Sequence, residues 1–232
     1  RLAKGLKPEY SHSVSASADL YHSFGRLQAN LLVEGFYTML NNVFTLVRIG
    51  ENEDGSIVYW ERRNGSGATV AGVNFEGKIG IPHRFELQLG YTLQSSRYDT
   101  PERWSDQLAP QRKMFRAPDH YGYLTSLFDI TPRFKASLFG TYTGSMLVKH
   151  ILSDGTNETD LEQNTPSFWD MGIKLAYTFR IGKAVNLEVN TGVKNIFDAY
   201  QKDLDYGAFK DADYVYGPSL PRMYFVGIKF SI

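Results

Sequence analysis

The last ten residues of the chain alternate between apolar side chains and side chains of mixed character. The apolar positions are Tyr224, Val226, Ile228, Phe230 and Ile232. The positions between them include the charged residue Lys229. Successive side chains of a β-strand point to opposite faces, so this segment is predicted to be a strand with one apolar and one mixed face.

Eight further segments show the same period of two, and almost nothing in the chain has the pattern of a helix. A hairpin tip is predicted at Glu51–Gly55, with a return leg at Ile57–Arg62. The nine predicted strands are Ser11–Tyr21, one that starts near Leu27 and continues past Asn41 into Val43–Ile49, Thr69–Ile79, Arg84–Gln94, Tyr121–Phe128, Phe134–Tyr142, Phe168–Arg180, Val185–Lys194 and Met223–Ile232.

The connections between these strands alternate between two kinds. The tight turns are Ser23–Arg26, Gly80–His83, Thr131–Arg133 and Gly182–Lys183. The long polar connections are Met39–Gly67, Ser95–Asp119, Leu147–Thr165 and Phe197–Pro221. Outer-membrane barrels sort their connections in this way, with short periplasmic turns and long extracellular loops. The sequence therefore predicts an all-β fold, an antiparallel up-and-down transmembrane β-barrel with an apolar lipid face and a polar lumen.

Composition supports this prediction. Fifteen Tyr and fifteen Phe are a heavy aromatic load, as expected for girdles at a membrane interface. Such girdles would include Tyr37, Tyr91, Tyr142, Phe179 and Tyr224. Lys+Arg and Asp+Glu number 25 each, so the charge gives no argument for nucleic acid. The absence of cysteine excludes disulfides and Cys-ligated metals.

The predicted strand count is odd, whereas single-chain bacterial barrels have an even number of strands. We therefore expect residues 1–232 to be the C-terminal portion of a larger barrel, unless one strand has been miscounted. The edge of the closing strand would then pair with a first strand outside these residues, because lipid does not tolerate an open edge.

The C-terminal residues resemble a known family. Asn195-Ile-Phe-Asp198 with Tyr200, the stretch Lys210–Pro218, and Pro221-Arg222 before the last strand are similar to the C-terminal motifs of TonB-dependent outer-membrane receptors. Two positions depart from the pattern. Asn74 stands where the family usually has Glu, and Ile232 stands where it usually ends in an aromatic residue.

The resemblance implies a 22-stranded barrel with an N-terminal plug in its lumen. It implies a Gram-negative outer-membrane importer of a scarce ligand (a siderophore–iron complex, cobalamin or an oligosaccharide) and no enzymatic activity. Its partners would be outer-membrane lipid, the TonB complex through the plug, and the barrel-assembly machinery through the C-terminal strand. The plug and the TonB box are not among residues 1–232.

Aromatic residues beside cations in the predicted outer loops are candidates for ligand contact, because aromatic faces stack on sugars and planar ligands and Arg binds carboxylates. The alternative is that they belong to the outer girdle or pack loop against loop. The candidates are Tyr59, Trp60, Arg62, Arg103, Trp104, Tyr206, Tyr214 and Tyr216.

Other chemistry has less support. The five His residues show no metal-ligand spacing. For Asp203, Asp205, Asp211 and Asp213, a solvated loop is favoured over a Ca²⁺ site. No metal site, cofactor or catalytic residue is predicted. Two rival functions remain: a soluble β-rich carbohydrate-binding module, and an outer-membrane hydrolase that would use His120 or His150.

Overall fold

The computed structural model describes residues 1–51, 58–182 and 185–231. Its strands are β1 (Tyr10–Phe24), β2 (Leu27–Asn41), β3 (Phe44–Glu51), β4 (Val58–Asn64), β5 (Ala68–Ile81), β6 (Phe85–Glu102), β7 (Gln111–Lys113), β8 (His120–Asp129), β9 (Phe134–Thr143), β10 (Leu147–Ser153), β11 (Glu158–Asn164), β12 (Phe168–Ile181), β13 (Val185–Lys194) and β14 (Met223–Ser231). Within these described ranges, no helix is long and apolar enough to cross a membrane.

Nine strands form one continuous antiparallel sheet, which we call the wall. Their order is β1-β2-β5-β6-β8-β9-β12-β13-β14, so each strand lies beside the next one of the nine along the chain. The short β7 pairs with β6, whereas β3–β4 and β10–β11 are separate hairpins. The all-β meander and the count of nine wall strands are confirmed. Tight turns lie at one end of the wall and long connections at the other.

Three strand ends lie three or more residues from their predicted positions. The first wall strand continues to Phe24 instead of ending at Tyr21. The second wall strand ends at Asn41, because Asn42 has a φ of 56° and breaks the extended backbone. The residues from Phe44 onward then start a separate hairpin. Strand β6 continues to Glu102 instead of ending at Gln94, because its backbone stays paired with β5 as far as Tyr98.

The predicted polar loop Leu147–Thr165 is in fact a hairpin, formed by β10 and β11. Its turn is stabilised by the Asp154 carboxylate, whose Oδ1 accepts the backbone N–H groups of Thr156 and Asn157, each at 2.7 Å. Gly155 follows with a φ of 88°, which favours glycine. The polar residues of the turn made the whole segment resemble a loop in sequence, although β10 begins with apolar residues and its Val148 is fully buried.

Three predictions fall partly or wholly outside the described residues. They are the hairpin tip Glu51–Gly55 with the start of its return leg, Lys183 in the fourth tight turn, and the terminal Ile232.

One face of the wall is apolar and exposed. Leu89 is 51% exposed on β6, Phe179 is 48% exposed on β12, and Val226 is 75% exposed on β14. Soluble monomers rarely expose apolar surface continuously across a whole sheet. This apolar face therefore has the character of a lipid-facing surface, as the alternation predicts.

Aromatic side chains form two bands on the apolar face. Near the end with long connections, the ring of Tyr142 lies 4.5 Å from that of Trp169 and 6.4 Å from that of Tyr91, measured between centroids. Near the tight turns, Tyr177 and Phe179 are 4.7 Å apart. Two bands that flank an apolar zone match the girdles of membrane barrels.

The opposite, polar face carries hydrogen bonds between neighbouring strands. Asn74 on β5 donates to Glu34 on β2 at 3.0 Å and accepts from the Thr92 hydroxyl on β6 at 2.8 Å. A Glu at position 74 could not donate to Glu34 when ionised. The departure from the family pattern at Asn74 therefore fits its neighbours.

Candidate ligand-binding site in the outer connections

Three of the long connections pack together at one end of the wall. We call them the outer-loop unit, which consists of residues 103–119, the β10–β11 hairpin and residues 195–222. The first contact joins residues 103–119 to the hairpin, where the Trp104 indole N–H donates to Glu162 at 2.8 Å. Gln107 adds two bonds, one to the Glu158 carbonyl at 3.0 Å and one from the Asp160 N–H at 3.1 Å.

The hairpin is joined in turn to residues 195–222. His150 Nε2 lies 2.9 Å from Asp205 Oδ2, and the His150 ring stacks on Tyr214 at 3.5 Å and 5°. The hydrogen bond with His150 is the principal cause that holds the pKa of Asp205 below its ordinary value. The backbone N–H of Ile151 donates to Asp211 at 2.9 Å and adds a second link.

Tyr214 and Tyr216 form the centre of the unit. They are only 2% and 7% exposed, and they pack with Val148 and Phe168. Both hydroxyls donate to the Asp203 carboxylate, Tyr214 at 2.7 Å and Tyr216 at 2.5 Å. Tyr214 and Tyr216 therefore follow the alternative given above for the candidates, in which loop packs against loop.

The ionisation of this centre follows from its hydrogen bonds. Desolvation acts to raise the pKa of Asp203, but the hydroxyls of Tyr216 and Tyr214 outweigh it and the pKa is lowered. Burial, followed by the hydrogen bond to Asp203, raises the pKa of Tyr216 to about 12. The pKa of Tyr214 is raised for the same reasons. At neutral pH the carboxylate is charged and both phenols keep their protons.

Trp104 and Arg103 lie on the first segment of the unit. Trp104 is half-buried, and the Lys149 ammonium lies 5.0 Å from its ring centroid and 4.8 Å from that of Phe115. This places Lys149 within cation–π distance of both rings. Arg103 is exposed. Trp104 is thus engaged with the hairpin, whereas Arg103 is open to solvent.

Tyr59, Trp60 and Arg62 lie on β4, in the first outer hairpin. Tyr59 is 49% and Trp60 43% exposed, and Arg62 is exposed as well. In a strand, Trp60 and Arg62 project to the side opposite Tyr59. The β3–β4 hairpin is a two-stranded sheet of its own, so these candidates form a group separate from the outer-loop unit.

Tyr206 is the most open of the candidates, at 85% exposure. It lines a pocket of about 460 Å³ between the tip of the β10–β11 hairpin and residues 205–210. Its neighbours in the lining include Asp154, Asp205, Phe209 and Lys210. The structure therefore places one predicted candidate at a cavity and two in a buried core. Trp104 packs against the hairpin, and the other four lie on the outer surface.

The aspartates of the last loop hold the loop together. Asp203 binds the two tyrosines, Asp205 binds His150, and Asp211 accepts from Ile151 and, at 2.9 Å, from the Asp213 N–H. In the part of the chain that the structure describes, no three His, Asp or Glu residues are grouped to hold a metal ion. The cluster is explained by loop architecture.

Gln201 is a structural residue that sequence reasoning missed. It is 4% exposed, donates to the Tyr214 carbonyl at 3.1 Å and accepts from the Tyr216 N–H at 2.8 Å. Its position in a polar stretch hides this role. The motif Asn195-Ile-Phe-Asp198 could have indicated that this loop is ordered. The Asn195 amide also stabilises the loop, because it donates to the Ala199 and Leu220 carbonyls at 2.9 Å.

Solved structures share this fold. The ferric-catecholate import receptor Fiu from K12 E. coli is 21% identical, with a TM-score of 0.63, over 99% of this chain and 28% of that protein. The siderophore receptor PirA from Acinetobacter baumannii is 16% identical, with a TM-score of 0.57, over 97% and 32%. The copper transporter OprC is 15% identical, with a TM-score of 0.59, over 100% and 33%.

This chain thus spans about a third or less of the length of these proteins. No match was found among curated protein sequences. The family described as "TonB dependent receptor-like, beta-barrel" matches residues 2–196, which is most of the chain. That family consists of outer-membrane transport receptors and not of enzymes. With its nine-stranded wall, its apolar face and its long outer connections, the chain belongs to the TonB-dependent receptor β-barrel family.

Proposed function

We propose that the whole protein imports a scarce small ligand across the outer membrane of a Gram-negative bacterium, driven by TonB. The observation that carries this proposal is the family match over residues 2–196. Residues 1–232 supply part of the barrel wall and the outer connections, as the C-terminal portion of that barrel. The plug domain and the TonB box belong to the remainder of the protein.

The ligand would be captured outside the membrane and then released through the lumen when the plug rearranges. The polar face of the wall suits a wet lumen, with its side-chain bonds between Asn74, Glu34 and Thr92. The names of Fiu and PirA support an iron chelate as cargo, and that of OprC supports copper. Nothing in the fold or the comparisons supports the soluble carbohydrate-binding module as an alternative.

Uptake measurements test this function. A strain that lacks the gene should lose accumulation of one labelled ligand from a panel of ferric siderophores, copper, cobalamin and neutral oligosaccharides. Deletion of TonB alone should abolish the same uptake, and deletion of an unrelated porin should not. Unchanged accumulation of every panel ligand in the gene-deleted strain, or uptake that persists without TonB, would refute the proposal.

A partner proposal follows from the C-terminal strand. Strand β14 keeps its alternation through Ser231, and its apolar side chains lie on the same face as those of β13, with Phe230 opposite Leu187 and Ile228 opposite Val189. We propose that this strand carries the assembly signal for the barrel-assembly machinery. Replacing Phe230 with Asp should reduce the amount of assembled barrel, whereas replacing Lys229 with Gln should not.

A further inference from the structure

The pocket at the hairpin tip has two walls that are held in place by the protein itself. On the hairpin side, Asp154 fixes the turn through two backbone N–H groups at 2.7 Å. On the loop side, Asp205 is bonded to His150 at 2.9 Å and to the Asp211 N–H at 3.2 Å. The ring of Phe209 lies against Gly155, where a Cβ atom would come within 2.6 Å of the ring. A preorganised site loses less conformational entropy on binding.

The volume of this cavity suits a small ligand. It measures about 460 Å³, within the range of small-molecule sites, which runs from roughly 300 to 1,000 Å³. Its lining combines two aromatic rings with short polar side chains, among them Asn157 and Thr159. The ring of Tyr206 is free on most of its surface, because the side chain is 85% exposed.

The charges of the lining select among ligand classes. Asp154 and Asp205 are the two carboxylates, and Lys210 is the one cation among the residues that line the described pocket. A multiply anionic chelate would face net repulsion here. The hydroxyl groups of an uncharged ligand can donate to the two carboxylates and accept from the Asn157 amide or the Lys210 ammonium. The aromatic rings of the lining offer a face on which such a ligand can stack.

We propose that this pocket, formed by Tyr206, Phe209 and the flanking Asp154, Asp205, Asn157 and Lys210, is a subsite for an uncharged polyhydroxylated ligand, a neutral oligosaccharide. The proposal rests on the import function proposed above and names its substrate class. It differs from the cargoes in the names of the similar structures, none of which is a carbohydrate. The two carboxylates accept sugar hydroxyls, and Tyr206 stacks on the pyranose face.

Calorimetric titration of the full-length protein in detergent tests this subsite. The probes are maltotriose, xylotriose and N,N′,N″-triacetylchitotriose as neutral sugars, and a ferric catecholate as the anionic comparison. At least one neutral sugar should bind, and replacing Tyr206 with Ala should weaken that binding by about tenfold. Tyr200→Ala is the matched control, because Tyr200 is exposed on the same loop but does not line the pocket. Its affinity should equal that of the unmodified protein.

The outcomes separate the subsite from the import function. Absence of binding by all three sugars, or equal weakening by Tyr206→Ala and Tyr200→Ala, would overturn the subsite. Binding of the ferric catecholate that depends on Tyr206 would overturn its assignment to neutral ligands. If either the subsite or its assignment to neutral ligands is overturned, TonB-dependent uptake of another ligand would still support the import function. Loss of that uptake altogether is the separate result that refutes import.

Discussion

The wall and the outer-loop unit are stabilised by different kinds of interaction. In the wall, each strand pairs with the next in register, and side chains alternate between an apolar and a polar face. In the outer-loop unit, contacts join residues far apart in sequence, such as His150 with Asp205 and Trp104 with Glu162. The wall is therefore encoded by local period-two patterns, whereas the unit is encoded by individual long-range pairs.

The comparison predicts that a charge on the apolar face has the largest effect. Leu89→Arg should destabilise the folded barrel by up to about 2–4 kcal/mol, because it places a cation in lipid. Gln88→Arg is the matched control on the polar face, where Glu76 accepts a bond from Gln88 at 2.7 Å. Urea unfolding of the full-length protein in lipid vesicles measures both. Equal destabilisation by the two variants would contradict the assignment of faces.

The second prediction concerns the outer-loop unit alone. Gln201→Ala should lower the free energy of opening this unit by about 2 kcal/mol, because it leaves two buried backbone groups without their partner. The wall should stay folded. The neighbouring exposed residue supplies the control variant, Lys202→Ala.

The reporter for this opening is a cysteine at a buried position, since the chain has none of its own. Val148→Cys places a thiol at a site with 0% exposure, and its labelling rate then measures how often the unit opens. Gln201→Ala should raise this rate about thirtyfold. A rate that matches Lys202→Ala would show that Gln201 does not stabilise the unit.

The third prediction tests the polar face at Asn74. Asn74→Glu should destabilise the wall by about 1 kcal/mol, because it replaces a donor to Glu34 with a second carboxylate. The double variant Asn74→Glu with Glu34→Gln should recover most of this loss, since the amide introduced on β2 could donate to the new carboxylate on β5. Thermal unfolding of the three proteins measures the effect, and failure of the double variant to recover would argue against a direct contact.

Acidification should have the smallest effect, and the measurement concerns the outer-loop unit. The pKa values of Asp203 and Asp205 are lowered in the folded state, so their stabilisation is complete above the ordinary Asp pKa. It is lost as the pH falls through the lowered values, below about pH 4. Labelling of the Val148→Cys thiol by a reagent active in acid, relative to an exposed Thr156→Cys thiol, should be constant from neutral pH to about pH 4.5 and rise below about pH 4. A rise already near neutral pH would contradict this assignment.

Most of the wall strands could be predicted from the sequence, for a physical reason. Alternation identifies a strand wherever one face is apolar, as in Phe85–Leu93. The tight turns are marked by Gly or Pro, as in Gly80–His83. It failed where a strand carries mixed side chains, as in β11 (Glu158–Asn164), which has the composition of a polar loop. Asn accepts a positive φ more readily than most residues, but apolar positions continue beyond Asn42 into Val43–Ile49, so the alternation does not show that β2 ends at Asn41.

The candidate site was less predictable because exposure of a loop aromatic depends on tertiary packing. Tyr206 and Tyr214 have similar polar neighbours in sequence, yet one is 85% and the other 2% exposed. The difference is that Tyr214 meets His150 and Gln163 of the hairpin, contacts between residues far apart in the sequence. Loop composition alone could not separate a ligand contact from a structural tyrosine.

Labelling of two cysteine variants in intact cells tests the membrane orientation most directly. Thr156→Cys lies in the tip of the β10–β11 hairpin. Arg26→Cys lies in the first tight turn, between β1 and β2, at the opposite end of the wall. A membrane-impermeant maleimide added to intact cells should label the thiol introduced in the hairpin tip. The thiol introduced in the tight turn should react only after the outer membrane is permeabilised. Labelling of the tight-turn thiol in intact cells, or labelling of both thiols only after permeabilisation, would contradict the orientation with the long connections outside the cell.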